Sequence, residues 1–501
     1  MVAIPAEPVS LNPLYLEGEI SYAVSELGFS YLTNYDSRGN IVADVARQVP
    51  TLANGGVSRD GLRVTYLLRR GVRWHDGAEL TSRDVAFTYR AIMNPANSLP
   101  SRYGYDQVAA VEAPDELRVV VRLKHPYSPI ISYFFGGDSN YPILPAHLLA
   151  GLADLNHAPY NQAPIGSGPF VFTHWLRGDH IVARSNPTYY GGRPSIDGVT
   201  LRVVGDSSTI VAQLLTGEVD ATFFADVTRI ATLRAIPAHR VVVTPVPYFY
   251  ALFFNVTDPV TGDPAVRRAF ALAIDRRAMV DKVTHGLFNA GTGMRGLFTW
   301  SFDPHAGNLP YDPRSAQAIL SRDGWVPGPG GIRVKDGHRL ELGFALRAGM
   351  QVDSEFATVL AAQVRSVGID VAIKQYAHDQ FVATNGPIEQ GRYQIGLYGY
   401  QSSYDPDVSW MLACDQRGPH GFNWARYCNA AVDGELREGA ASFDRATRLR
   451  DYRLIQRQLL ADLPYVFLCQ ISEIDVVPSR LRGYAQPLLS PFNSVARWRL
   501  R

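Results

Sequence analysis

The chain has 501 residues, of which 46% are hydrophobic and 19% charged, with 48 basic against 47 acidic side chains. That length exceeds what one hydrophobic core serves, so two or three domains are expected. A formal charge of +1 leaves no electrostatic case for nucleic acid or an anionic membrane. Only Lys124, Lys282, Lys335 and Lys374 are lysines; the remaining basic residues are arginine, which suits bidentate anion contacts. No run of roughly eighteen apolar residues occurs, so no transmembrane segment is expected. The opening MVAIPAEPVSLNPLY lacks the charged and apolar regions of a secretion signal.

In chain order, Gly61 to Tyr89 reads as strand, turn and helix. Leu62 to Leu67 alternates as a half-buried strand does. Trp74-His75-Asp76-Gly77 supplies turn chemistry. Thr81 with Asp84 makes a variant capping box, and Val85, Tyr89 and Ile92 continue one helical face. Leu117, Val119, Val121 and Leu123 alternate with arginines as a further strand. The apolar stretch Val241 to Val256, interrupted by Pro245 and Pro247, reads as interior strand. Asp263-Pro264 opens a helix as N-cap and N1, with Val266, Phe270, Ala273 and Ile274 as its core stripe and Gly286 as its stop. After a strand from Leu340 to Leu346, a helix is expected from about Ser354 to Val367, with Phe356, Val359, Leu360 and Val364 inward and Gly368 following its end. Strands Ile369–Ile373 and Tyr393–Leu397 follow. A last helix beginning at Ser442 carries Leu449, Tyr452, Ile455 and Leu459. No internal repeat interrupts the alternation, and the class is α/β with sheets covered by helices.

Catalytic and cofactor motifs are sparse. The twelve histidines (75, 125, 147, 157, 174, 180, 239, 285, 305, 338, 378 and 420) form neither HExxH nor a zinc-type Cys/His spacing. His75, inside a turn, suits a structural or solvated role better than a ligand role. Gly291, Gly293 and Gly296 match GxGxxG as letters, yet a helix precedes them and the aromatic Leu297-Phe298-Thr299-Trp300 follows. Dinucleotide binding requires the reverse order, so a flexible loop is expected. No GxxxxGK[ST] is present for ATP hydrolysis. Gly166-Ser167-Gly168 lacks the spacing of a nucleophile elbow. Asp405 and Asp407 are the carboxylates a hydrolase would use, as a remote alternative. No catalytic constellation survives, so no enzyme activity, cofactor or bound metal is expected.

Six blocks carry a resemblance. Gly61–Tyr89 is followed by IGSGPFVFTHWLRGDHIVARSNPTYYGGRPSID (165–197), LLTGEVDATF (214–223) and FFNVTDPVTGDPAVRRAFALAID (253–275). YDPRSAQAILSRDGW (311–325) and NWARYCNAAVDGEL (423–436) complete the series. In order and spacing the chain resembles the family 5 extracellular solute-binding proteins, the dipeptide, oligopeptide and nickel binders of ABC importers. The resemblance implies a two-lobed periplasmic-binding-protein fold of type II with an extra subdomain, its lobes hinged by two crossing strands near Tyr250–Asn255 and Leu468–Ile471. One lobe would comprise 1–34, 164–250 and 473–501, with 35–163 inserted, and the other 251–472. It also implies a monomer, exported to the periplasm or the extracellular face of the cytoplasmic membrane, its leader removed and Met1 added, that passes solute to ABC permease subunits.

The family's ligand groups fall on particular residues here. Aligning outward from Val367-Gly368-Ile369 puts the carboxylate-binding arginine on Arg347, whose planar fork gives paired charge-assisted bonds. The family's ammonium-binding aspartate falls on Ser402 or Ser403, and a hydroxyl does not neutralise an ammonium. Either Asp405 reaches in, or the cargo has no free α-amine, as for an oligosaccharide, a capped peptide, an opine or metal chelate, or another carboxylate. Tyr103, Tyr105, Tyr250, Trp300 and Tyr400 are candidate aromatic walls, with Tyr400 foremost; a core role is the alternative for each. Cys414 and Cys428 flank RGPHGFNW where dipeptide-binding relatives carry a close cysteine pair. That implies a disulfide, with two reduced buried thiols as the alternative. Cys469 reads as a small buried hydrophobe.

Overall fold

The computed structural model describes residues 1–16, 18–139, 141–291, 293–306, 309–418, 421–484 and 490–500. The chain divides into two units. The first is Met1–Thr244, Ala441–Phe443 and Glu473–Arg501; the second is Pro245–Ala440 and Asp444–Ser472.

In the first unit, strand β1 (Val2–Ile4) is followed by helix α1 (Gly18–Gly28), whose Ala23, Val24 and Leu27 are buried. The subdomain after it holds a three-stranded antiparallel sheet of β2 (Arg63–Leu67), β3 (Val108–Asp115) and β4 (Arg118–Leu123), with β4 central. Period-two alternation decides its faces. Val64, Tyr66, Val119 and Val121 are fully buried on one side, where helix α2 (Ser82–Met93) packs, while arginines occupy the other. The expected capping box is present: Thr81 Oγ1 accepts from the Arg83 amide at 3.3 Å, and Asp84 Oδ2 from the Thr81 amide at 2.7 Å. Strands β5 (Phe170–Leu176), β6 (His180–Ser185), β7 (Gly198–Val203) and β8 (Ala221–Thr222) join β1 in the order β8-β1-β7-β6-β5, with β1 parallel to both neighbours. Ile4, Leu27, Phe170, Ile181, Leu201 and Phe223 form the core on this sheet.

Strand β9 (His239–Phe254) runs without interruption through Pro245 and Pro247 into the second unit. Its pairing with the strand Ile395–Gln401 starts at Tyr248↔Gln401, beyond both prolines, so their missing N–H groups remove no bond from that ladder. The helix expected after Asp263 is two helices, α3 (Pro264–Leu272) and α4 (Arg276–Thr284). Asp275 caps the second, its carboxylate accepting from the Ala278 amide at 3.0 Å, and so separates the two. The Gly-rich segment is a correction too. After the short strand β10 (Asn289–Ala290), Gly293–Phe298 is helix α5. A Cβ on Gly296 would lie 2.7 Å from the Tyr248 carbonyl, and one on Gly293 2.8 Å from Phe467 Cβ, so these glycines serve close packing.

The second unit's sheet continues with β11 (Glu341–Arg347), β12 (Asp370–Tyr376) and β13 (Ile395–Gln401), in the order β12-β11-β13-β9-β14, where β14 is Tyr465–Pro478. Helix α6 (Gln351–Arg365) starts three residues earlier than expected, because Gly349 (φ 81°) turns the chain directly after β11. Helix α7 (Ala430–Ala441) precedes α8 (Arg445–Asp462). The latter starts at Arg445 because the Asp444 carboxylate caps it, accepting from the Thr447 amide at 2.8 Å. No helix is long and apolar enough to cross a membrane among the described residues.

Candidate functional site

Strand β11 is parallel to both β12 and β13; Arg347 ends β11 level with Tyr376, the last residue of β12, while β13, paired at Phe344↔Ile395 and Ala345↔Gly396, runs on to Gln401. Carboxyl ends of parallel strands are where open α/β sheets present ligand-binding groups. Arg347 closes β11, and the turn at Gly349 brings the first turn of α6 back beside it. Asp353 Oδ2 accepts from Arg347 Nε at 2.9 Å and lies 2.8 Å from Nη2. The guanidinium carbon sits 4.1 Å from the centre of the Tyr398 ring on β13, a cation–π contact. Arg347 is 8% exposed and Asp353 fully buried. Burial raises the Asp353 carboxyl above its usual range, and the Arg347 charge works against that shift. The phenol of Tyr250, on β9, is pushed well above its ordinary value by burial first and the Asp353 charge second. Arg347, Tyr250 and Asp353 thus form one buried cluster in the second unit.

Tyr400 lies in the adjoining core. Its ring stacks on Phe249 at 5.2 Å, meets Tyr398 edge-on at 5.1 Å and touches Trp424 at 5.6 Å. It is 3% exposed, yet its buried hydroxyl has no hydrogen-bond partner among the described residues. The Ser402 amide donates to the Pro247 carbonyl at 2.8 Å and its hydroxyl to the Leu297 carbonyl at 3.3 Å, whereas the Ser403 hydroxyl donates to the Asp405 carbonyl at 2.7 Å. Both serines sit where the family's acid was expected, and both hydroxyls are engaged by backbone.

Asp405, the alternative acid, is already paired. Its oxygens take a bidentate pair from Arg448 at 2.8 and 2.6 Å, and both side chains are buried. Asp407, also buried, accepts from the Ser409 amide and hydroxyl. Trp300 covers this knot, its ring centre 4.2 Å from the Arg445 guanidinium and 5.6 Å from that of Arg448. Tyr105 lies in the first unit. It is 2% exposed, bonded through its hydroxyl to Ser139 at 2.8 Å and to the Phe135 amide at 3.0 Å, so it is core. Tyr103 is 38% exposed and edge-on to Tyr133.

His75 is built into scaffold. Its amide donates to the Gly166 carbonyl (2.8 Å), Nδ1 accepts from the Gly166 amide (3.2 Å), and Nε2 therefore carries the proton toward the Gly168 carbonyl (3.0 Å). Burial lowers its pKa, favouring this neutral tautomer. Cys414 and Cys428 are joined by a disulfide, and Cys469 is buried and unpaired. His420 lies outside the described residues. Glu435, Glu438 and Asp451 bring carboxylates close together, with Arg450 2.7 Å from Asp451 as their counter-charge. Sequence reasoning missed Asp353; the available signal was an acid in the first helical turn just after the Arg347 strand. It also missed Arg448 as the partner of Asp405.

Residues 47–419 match the family described as "Bacterial extracellular solute-binding proteins, family 5 Middle". Protein XP55 of Streptomyces lividans is 30% identical, over 99% of this chain and 88% of its own. The oligopeptide-binding protein AppA of Bacillus subtilis, solved in complex with a nonapeptide, is 26% identical with a TM-score of 0.79, covering 100% of this chain and 98% of that one. NikZ of Campylobacter jejuni, solved with Ni(L-His), shares the fold with a TM-score of 0.82 at 24% identity, over 99% of this chain and 98% of that one. The six colinear blocks and these likenesses agree: the chain belongs to the bacterial extracellular solute-binding proteins, family 5.

Proposed function

We propose that this protein captures a carboxylate-bearing solute, a peptide foremost, and hands it to ABC permease subunits as an exported, non-enzymatic monomer. The observation that carries this reading is the Arg347 guanidinium, held at the carboxyl ends of the parallel strands β11 and β12 by Asp353 from one edge and by Tyr398 of β13 from one face. Such a group is pre-organised: its rotamer is already paid for before ligand arrives, and its remaining donors fit a carboxylate. AppA, of the same family, is bound to a nonapeptide, which supports peptide as the cargo class. Ligand stabilises a second conformation only to the extent that it binds that conformation better.

A second reading, a carboxylate without a free α-amine such as an opine or metal chelate, or an oligosaccharide, is favoured by one observation. The expected acid position falls on Ser402 or Ser403, and neighbouring Asp405 is paired with Arg448. Thermal-shift measurement over dipeptides, longer peptides, amino-blocked peptides, oligosaccharides and metal chelates tests both. Stabilisation by free-amine peptides above all others supports the first reading. A preference for amino-blocked or non-peptide carboxylates supports the second, and response to uncharged sugars alone removes Arg347 from the role in either.

A further inference from the structure

The near-neutral total charge conceals a local asymmetry in the first unit. The solvent face of the β2-β4-β3 sheet carries Arg63, Arg118 and Arg122, and Arg63 stands directly across from Arg122 in the ladder. Like charges in that position repel and weaken a sheet. Two adjoining concavities of about 380 and 790 Å³ open on this face and share Leu67 and Arg118. Their linings hold six arginines, with Arg47, Arg69 and Arg70 added, against only two carboxylates, Glu112 and Asp115. Glu112 pairs with Arg122 at 2.5 Å and Asp115 with Arg118 at 3.5 Å, and Arg69 Nε donates to the Asp44 carbonyl. Arg47, Arg63 and Arg70 are exposed, with no side-chain hydrogen bond or ion pair among the described residues, although Arg63 lies near enough to Asp60 to act on its carboxylate.

We propose that this face docks the protein on a membrane surface through the phosphates of anionic phospholipid headgroups. Charge complementarity is the first argument: four positive charges in excess are gathered on one face, while the rest of the chain is slightly acidic. Spacing is the second. Arg118 and Arg122 are four residues apart on one strand, roughly 13 Å, so the face addresses several phosphates and not one. Arginine forks suit phosphate oxygens. Neither lining includes an aromatic ring, so there is no platform on which nucleic-acid bases would stack. The docking is independent of the solute site, which lies in the other unit.

The test is co-sedimentation of the full chain with vesicles. Binding is expected to mixed phosphatidylglycerol–phosphatidylcholine vesicles, with release as salt is raised, and only background binding to pure phosphatidylcholine. Replacing Arg47, Arg63 and Arg70 together with glutamine should weaken partition roughly a hundredfold, at about fivefold per arginine near such a surface. A matching triple lysine variant should keep most of the binding. The inference is overturned if both vesicle types bind equally, if the glutamine variant binds like the parent, or if the lysine variant fails with it. It is also overturned if inorganic phosphate or a single-stranded oligonucleotide binds this face while vesicles do not. Solute binding by the glutamine variant is expected to be unchanged, which separates failure here from failure of the proposed function.

Discussion

In the proposed function Arg347 is the residue on which solute capture turns, with Asp353, its buried partner, setting how strongly. Truncating Arg347→Ala would leave a ligand carboxylate without its partner, which costs about 2–5 kcal/mol of binding. Calorimetry with a carboxylate ligand that showed no loss would remove Arg347 from the site. The opposite change is expected at its partner. Asp353→Asn preserves shape but frees the guanidinium charge, so affinity for a carboxylate should rise and become more sensitive to salt. The same variant should unfold more readily, because an unpaired buried charge costs about 3–5 kcal/mol. Thermal denaturation beside calorimetry reads both, and equal affinity in parent and variant would sink the account. Arg347 was singled out only by the family resemblance, aligned outward from Val367-Gly368-Ile369, and not by its local sequence. Asp353 was not legible, since which acid closes an ion pair depends on how a turn at Gly349 folds back, and one-dimensional spacing does not encode that. Asp405 shows the same limit: it lies in a loop, and its distant partner, Arg448, lies on α8.

At the level of elements, the two most recognisable motifs turn out to be one joint. The Trp74–Gly77 turn and the Gly166-Ser167-Gly168 segment meet through three hydrogen bonds made by His75, and both glycines lie against the backbone at Gly28. A Cβ on Gly166 would fall 1.8 Å from the Gly28 carbonyl oxygen, and backbone cannot step aside as a flexible side chain can. Gly166→Ala is therefore expected to destabilise by about 1–3 kcal/mol or more. Gly434→Ala, in helix α7 with open space around its Cβ, should instead be neutral or stabilising by up to about 1 kcal/mol. Chemical denaturation of both variants checks the contrast; similar losses in the two would refute it. Alternation of apolar residues made the strands legible, because period two survives any tertiary context that buries one face. The break at Asp275 was hidden, because a helical stripe looks continuous across a cap that restarts it.

Across the whole molecule, buried acids set a pH dependence that composition does not suggest. Glu26, near the end of α1, has an Oε2 shut off from water without a hydrogen-bond partner among the described residues. Burial first and the nearby Asp44 charge second raise its carboxyl from 4.5 to about 8, against a smaller opposing contribution from Ser490. Asp475 on β14 is raised as well, again chiefly by burial. Between the unfolded and folded pKa values the native chain holds protons that the unfolded chain has released. Stability is then fully present below about pH 4.5 and is lost as pH rises through the folded value near 8. For Glu26 the full span is worth about 4–5 kcal/mol at most. His75 acts in the other direction: buried neutral with a lowered pKa, it favours the native state above its unfolded value of 6.5 and loses that contribution as pH falls below it. The two opposing slopes place maximum stability in mildly acidic solution, with a decline toward pH 8. Glu26→Gln cannot ionise and should flatten that decline while leaving the acid-side loss from His75 in place. Unfolding midpoints of parent and variant measured from pH 5 to about 9 compare the two slopes. Parallel curves on the alkaline side would mean that Glu26 is already ionised in the folded protein, and that burial at the end of α1 is relieved by water.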